Sequence, residues 1–255
     1  MNLKAYLFWI LGLGFFALAS FMKIGTMRND PASLYTVVNF MPRMFKVLFG
    51  LGNPDIISPA GILGMVMYYM LVLGVVYASM LGASIILREE KDKTTEFLLV
   101  KPIAKSGIFC RKAAAGAIML FGLTVFVSLF SYGSLRFFME TTEYTGLVLR
   151  YGIALFIVLL FFFGTGLFIA SIVKKLKLGT NLSLLIFGIS FAMMLVSQLT
   201  ESVGFLDRFN PFSLYLNSDF NDDKLLLLKG AVLLLIFAGL VFAGSRLYER
   251  KDIYV

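Results

Sequence analysis

Residues 88–112 read REEKDKTTEFLLVKPIAKSGIFCRK, a charged stretch that separates two long apolar runs. Thr94 or Thr95 can cap a short helix here, and Glu96 in its first turn is favoured by the helix dipole. Pro102 ends that helix because proline has no backbone N–H to donate. One or two helical turns are unstable alone. The stretch therefore predicts a short helix that docks into a groove on another protein, followed by a second helix capped by Ser106.

The composition of the chain is that of a membrane protein. Of its 255 residues, 59% are hydrophobic, and the mean hydropathy is +0.88. Uncharged runs of about 18 residues or more mark membrane-spanning helices. We therefore expect one all-α, polytopic membrane domain over residues 1–255. Its six spans are predicted at about 6–23, 60–87, 113–135, 151–173, 180–199 and 225–247.

Two of these runs carry additional interpretations. The first contains Ala17-Leu18-Ala19, which resembles a signal-peptidase site after a short apolar region. Cleavage there would leave five spans and upset the charge distribution, so we expect the first run to be kept as a span. The second run is long enough to exceed about 40 Å as a helix. It is expected to overshoot the bilayer and carry residues 88–112 away from the membrane surface.

The distribution of charge predicts the orientation. Lys4, residues 88–112, the lysines at 174, 175 and 177, and the tail after Arg246 fall on one side of a six-span chain. The opposite side has far fewer cations and most of the acids. Positive-inside orientation then places both termini in the cytoplasm of a bacterial cell, as a multi-pass protein of the cytoplasmic membrane. Amphipathic segments around residues 31–48, kinked at Pro42, and around 209–215 are expected on the outer face.

The sequence lacks the residues that several classes of protein function require. The net charge of +8 is concentrated in loops, as topology requires, so it does not indicate nucleic acid. Cys110 is the single cysteine, and histidine is absent, which removes disulfides and the metal and acid–base sites that need histidine. The six apolar runs contain no acid, and the chain has no phosphate-binding loop. We therefore expect no catalytic, cofactor or metal site, and an energy source on a separate protein.

The order of residues in 88–112 resembles the cytoplasmic coupling segment of type-2 ABC exporter permeases. That family pattern is a Glu pair, Gly-Thr-x-Glu, a Leu pair, a Pro, and Ser-Arg opening the next helix. Lys93 replaces the usual Gly, Ala104 the Ser, and Lys105 the Arg. The positions that match are Glu89, Glu90, Thr94, Glu96, Leu98, Leu99 and Pro102.

The resemblance implies a permease that pairs with a second copy or a relative in the bilayer. Two partner subunits would bind ATP and Mg and grip a short coupling helix between the second and third spans. The implied contact residues are Glu89, Glu90, Thr94, Glu96, Phe97, Leu98, Leu99, Lys101, Pro102 and Lys105.

A polar stripe on the fifth run is the candidate lining of a transport path or dimer interface. Ser183, Ser190 and Ser197 are seven residues apart and share nearly one face, with Asn181 and Met194 nearby. The alternative is that these hydroxyls bond to carbonyls of their own helix. An uncharged lining of Ser, Met and Phe predicts an amphipathic or hydrophobic substrate, such as a peptide, an antimicrobial or a lipid-like molecule. A carrier or channel that works without an ATPase, and a non-transporting assembly or immunity protein, are the other functions considered.

Overall fold

The computed structural model describes residues 3–27, 36, 38–51, 58–91, 104–139, 143–200, 205, 207, 209–216 and 223–251. Within these ranges the chain forms no strand, and eight helices have defined bounds. They are α1 (Leu3–Met27), α2 (Arg43–Leu48), α3 (Pro59–Lys91), α4 (Lys105–Met139), α5 (Thr145–Ile172), α6 (Leu176–Leu199), α7 (Ser213–Leu216) and α8 (Asp223–Arg250). Six of them, α1, α3, α4, α5, α6 and α8, are long and apolar enough to cross a membrane. The predicted all-α polytopic fold with six spans is confirmed.

The two central helices of the bundle are α3 and α5. In the membrane-crossing window of α5, 78% of the residues are buried, and in that of α3, 67%. The corresponding share is 22% or less for α1, α6 and α8, which pack around the outside. From Ile153 to Phe163 every side chain of α5 is apolar, as expected for a helix surrounded by protein and lipid. The remaining spans therefore attach to a core made by α3 and α5.

Glycines allow α3 and α5 to approach at backbone distance. A Cβ atom added to Gly166 of α5 would lie 2.7 Å from the Ser79 carbonyl oxygen and 3.0 Å from the Gly82 Cα atom, both on α3. A Cβ atom added to Gly82 would in turn meet the Phe163 carbonyl oxygen and, at 3.0 Å, the Gly166 Cα atom. Small residues at such crossings let helices pack closely in lipid, where the hydrophobic effect does not drive helices together.

The start of α3 is explained by its local sequence, whereas α4 does not start where the predicted cap, Ser106, would place it. The Ser58 hydroxyl accepts a hydrogen bond from the Gly61 N–H at 3.0 Å, and Pro59 occupies the first helical position. The predicted cap of the other helix, Ser106, is wrong, because α4 already begins at Lys105. The Ala104 carbonyl accepts the first bonds, from Gly107 at 2.9 Å and Ile108 at 3.2 Å. Ala104 is therefore the N-cap residue, and the helix starts two residues earlier than it would with Ser106 as the cap.

The first span, α1, docks on α3 and α4 and reveals how far these two helices extend. The Tyr6 hydroxyl donates to the Met119 carbonyl oxygen of α4 at 3.0 Å, and the Trp9 ring lies 5.3 Å from the Tyr77 ring of α3. From Tyr77 to its end at Lys91, α3 continues for roughly 20 Å at the helical rise. Beyond the start of α1, the ends of α3 and α4 thus project together, with residues 92–103 joining them in the sequence.

We predict that adding one methyl group at the α3–α5 crossing destabilises the bundle. Gly82→Ala would force the two backbones apart, and overpacking of this kind costs about 2 kcal/mol of unfolding free energy. The measurement is thermal unfolding of the purified protein in detergent. The matched control is Gly239→Ala on α8, where an added Cβ has no atom within 4 Å. Equal unfolding temperatures for the two variants would contradict the prediction.

Candidate functional site

In the sequence, the predicted coupling helix falls between the end of α3 and the start of α4. Glu89 and Glu90 belong to the last turn of α3, so the helix continues into the predicted segment. Lys105, near the other end, is the first residue of α4. Outside the described residues lie Thr94, Glu96, Phe97, Leu98, Leu99, Lys101 and Pro102. Their role as partner contacts stays a prediction.

Lys105 contacts the end of α8. Its Nζ atom donates a hydrogen bond to the Lys251 carbonyl oxygen at 3.1 Å. One turn further along α4, Phe109 is fully buried, and its ring lies 5.7 Å from the ring of Tyr248 on α8. The first turns of α4, which leave the predicted coupling segment, are therefore packed against the last turns of α8.

The residues of the predicted polar stripe on α6 lie in different environments. Asn181 is exposed. Ser183 is fully buried, and its hydroxyl donates to the Gly179 carbonyl oxygen at 2.9 Å. Met194 is buried, whereas Ser190 is half-buried. Ser197 lies within hydrogen-bonding distance of the Met194 carbonyl oxygen, at 2.8 Å, and of the Asp207 carboxylate. The role of the stripe in a path or interface stays a prediction, and its buried hydroxyls have local partners.

Residues 209–216, here called the 209–216 segment, enter the bundle from Asn210 onward, whereas Phe209 is 79% exposed. The side chain of Asn210 donates to the Ser190 carbonyl oxygen at 2.9 Å and accepts from the Phe212 N–H at 3.1 Å. Ser190 lies nine residues before the end of α6, or roughly 13 Å into the bundle. Non-helical backbone at such a depth requires burial in protein. Residues 210–215 are thus buried among helices, which the sequence did not predict, and their location at the membrane interface stays a prediction.

Aromatic packing fixes the 209–216 segment between α3, α5 and α6. The Phe212 ring is fully buried, with the Phe162 ring of α5 at 5.4 Å and the Phe191 ring of α6 at 6.0 Å. The Tyr215 hydroxyl donates to the Gly64 carbonyl oxygen of α3 at 2.9 Å. The segment therefore closes the space between three spans at the end of the bundle away from Lys105. Asn210-Pro211 was the available signal, because this pair favours a turn.

We predict that Asn210 is required for the 209–216 segment to stay in place. Asn210→Ala removes both hydrogen bonds and leaves the buried Phe212 N–H without its acceptor, which costs about 2 kcal/mol of unfolding free energy. Thermal unfolding in detergent measures this cost. Asn181→Ala, at an exposed position on α6, is the control and should change the unfolding temperature little. A stability for Asn210→Ala equal to that of the control would contradict the assignment.

The six membrane-crossing helices, with α3 and α5 at the centre and four others packed on them, define the chain as an integral membrane domain of the helical-bundle class. A family model described as ABC-2 family transporter protein matches residues 5–253. The chain belongs to this family, as the resemblance of residues 88–112 predicted. A search of curated proteins found no match.

Membership of the family establishes the general role of the chain. It is the multi-pass membrane permease of an ABC transporter. Permeases of this family are in general non-catalytic subunits that pair in the membrane and work with an ATP-binding subunit. The predicted class of function is therefore confirmed, while the substrate and the direction of transport are separate questions.

Proposed function

We propose that the chain is the permease of an ATP-driven exporter of amphipathic or hydrophobic molecules in the bacterial cytoplasmic membrane. Two permeases, identical or related, would form the export path, and two partner subunits would bind ATP and Mg. Both termini and residues 88–112 would then lie in the cytoplasm. The observation that carries this proposal is the joint projection of α3 and α4 beyond the start of α1.

The projection supports a coupling role because of its length and its position in the chain. From Tyr77, which lies beside Trp9, α3 continues for roughly 20 Å, and about 12 Å of this length extends past the start of α1 at Leu3. That end of α3 can meet a soluble protein without burying that protein in lipid. The sequence between the two projecting ends carries the family pattern of Thr94, Glu96 and Pro102. Residues from Glu89 to Lys105 are thus the proposed contact with the ATP-binding subunit.

The uncovered faces of α1 and α6 support pairing with a second permease. Both helices pack on α3, and both leave large apolar side chains exposed. On α1, Phe8 and Phe15 are each 76% exposed, and on α6, Leu185 is 57% exposed. In permeases that the chain resembles, the first and fifth spans commonly meet across the dimer. The stripe from Asn181 to Ser197 would then lie beside the path between the two copies.

The proposed mechanism transmits force along α3. Closure of the ATP-binding subunits on the coupling helix would push the projecting ends of α3 and α4. Because Gly82 and Gly166 join α3 to α5 at backbone distance, these two helices would tilt as one body. The 209–216 segment, held by α3, α5 and α6, would be displaced when α6 separates from that body. Its release would open the path outward.

We predict that Glu96→Lys and Leu98→Asp each release the ATP-binding subunit while the permease still inserts in the membrane. The first change reverses a charge and the second removes an apolar contact at the proposed docking helix. Co-purification of the partner with tagged permease measures the loss.

Glu143→Lys is the matched control, since it makes the same charge change at an exposed site before α5, at the opposite end of the bundle. It should retain the partner. Full retention by both Glu96→Lys and Leu98→Asp would contradict the proposed contact.

A second prediction concerns the substrate class. Amphipathic peptides and lipid-like compounds should raise the ATPase rate of the purified permease–ATPase complex, whereas sugars and small ions should not. Stimulation by small hydrophilic ions alone would overturn the proposed class. Transport by the permease in proteoliposomes without its partner would instead indicate an ATPase-independent carrier, and absence of any substrate-dependent hydrolysis would favour an assembly or immunity role.

A further inference from the structure

The end of α5 is capped by a lysine that follows α8. The last carbonyl groups of a helix have no partners within it and carry the negative end of its dipole. Val173, the residue after α5, has extended backbone geometry, so the helix stops there. The Lys251 Nζ atom donates to the Ala170 carbonyl oxygen at 3.0 Å and to the Val173 carbonyl oxygen at 2.8 Å. Lys251 thus caps α5 from outside.

The position of Lys251 is set by the last turns of α8. Its backbone N–H donates to the Tyr248 carbonyl oxygen, and its ammonium lies 5.8 Å from the centre of the Tyr248 ring. That ring packs on Phe109 of α4. A Cβ atom added to Gly244 would lie 2.9 Å from the Phe109 ring, so α4 and α8 are in close contact there.

Lys251 also holds the start of α4, through its backbone. Its carbonyl oxygen accepts the hydrogen bond from Lys105, the first residue of that helix. One residue therefore joins three helix ends: the side chain binds the end of α5, the carbonyl binds the start of α4, and the chain itself continues from α8. We call Lys105, Phe109, Ala170, Tyr248 and Lys251 the Lys251 junction.

The burial of Lys251, which directly follows α8, distinguishes it from the two cations in the last turns of that helix. Only 8% of Lys251 is exposed, whereas Arg246 and Arg250 are exposed. A buried ammonium is costly unless hydrogen-bond acceptors replace water. The two carbonyl groups at the negative end of α5 meet this need, and a neutral side chain would not attract them in the same way. The contact thus depends on the charge of the side chain and on its reach.

The geometry points to Lys251 as a positioning residue of the coupling apparatus, one that ties the exit of the coupling segment to the ends of α5 and α8. This inference rests on the proposed function. A push on the coupling segment reaches the start of α4, and the Lys251 junction carries it to α5. The same force reaches α5 along α3, through the contact between Gly82 and Gly166. The helix before the coupling segment, α3, and the helix after it, α4, therefore both act on α5.

The first experiment measures the junction in the permease alone. Cys110 is the natural cysteine of the chain and is exposed on α4, so it accepts a spin label. A second label at Lys175→Cys, an exposed position just after α5, reports the distance between α4 and the α5 end. We expect one narrow distance distribution in the otherwise unchanged protein and a broader one in Lys251→Met. Lys251→Arg, which keeps a cationic donor, and Arg250→Met, at the exposed neighbouring position, should keep the narrow distribution.

The second experiment measures coupling in the complex with the ATP-binding subunit. Lys251→Met should lower kcat for ATP hydrolysis about fivefold, a coupling change of ordinary size, and leave KM for ATP within about twofold. Lys251→Arg should restore most of the rate. A general loss of folding would instead reduce the yield of complex and leave the rate per complex unchanged. Should Lys251→Met fail to accumulate, Lys251→Gln keeps a polar, uncharged side chain for the same measurements.

The outcomes separate this inference from the proposed function. Unchanged distances and an unchanged kcat in Lys251→Met would overturn the positioning role even though the ATPase binds. Failure of the unaltered permease to bind any ATP-binding subunit would overturn the proposed function, while the distance measurement would still decide whether Lys251 holds the three helix ends together.

Discussion

Backbone contact between α3 and α5 is the constraint on which the rest of the bundle depends. Lipid tails are as apolar as leucine, so helices in a membrane gain little from hydrophobic burial and associate through close packing. Gly82 and Gly166 allow that packing where any larger residue would separate the two backbones. The same device recurs around this pair, because an added Cβ at Gly116 of α4 would meet the Phe163 ring, and one at Gly179 of α6 would meet Leu87. Three of the outer helices, α4, α6 and α8, thus contact α3 or α5 at a glycine, whereas the glycine contact of α1, at Gly14, is with Phe126 of α4.

The course of the chain through the membrane could be predicted from the sequence because it depends on local properties. Uncharged runs longer than the bilayer is thick must be helical, since lipid offers no partner for free backbone groups. The six spans follow from this rule alone, as does the extension of α3 past the start of α1. The resemblance of residues 88–112 to a coupling segment likewise rests on local order, that of Thr94, Glu96 and Pro102, and it correctly indicated the family. The family match over residues 5–253 agrees with both.

The features that could not be predicted depend on contacts between distant parts of the chain. Asn210 and Phe212 look like residues of a surface turn, and only the cleft between α5 and α6 explains their burial. Lys251 looks like one more cation of a basic tail, and only the nearby end of α5 explains its low exposure. The hydropathy of a segment depends only on the residues of that segment. It therefore carries no information about the hydrogen-bond acceptors and packing surfaces that another helix supplies.

The arrangement also constrains where a substrate path can form under the proposed mechanism. The α3–α5 crossing has no room for a Cβ atom, so a path between these helices would require breaking the tightest contact of the bundle. In contrast, α6 is mostly uncovered, and its partners on α3 and α5 are side chains: Gly179 faces the side chain of Leu87 on α3, and the Phe187 ring lies 6.3 Å from the Phe162 ring on α5. Side-chain contacts can separate and re-form at lower cost than a glycine crossing. A path beside α6, opened while α3 and α5 move together, is therefore the one that the packing favours.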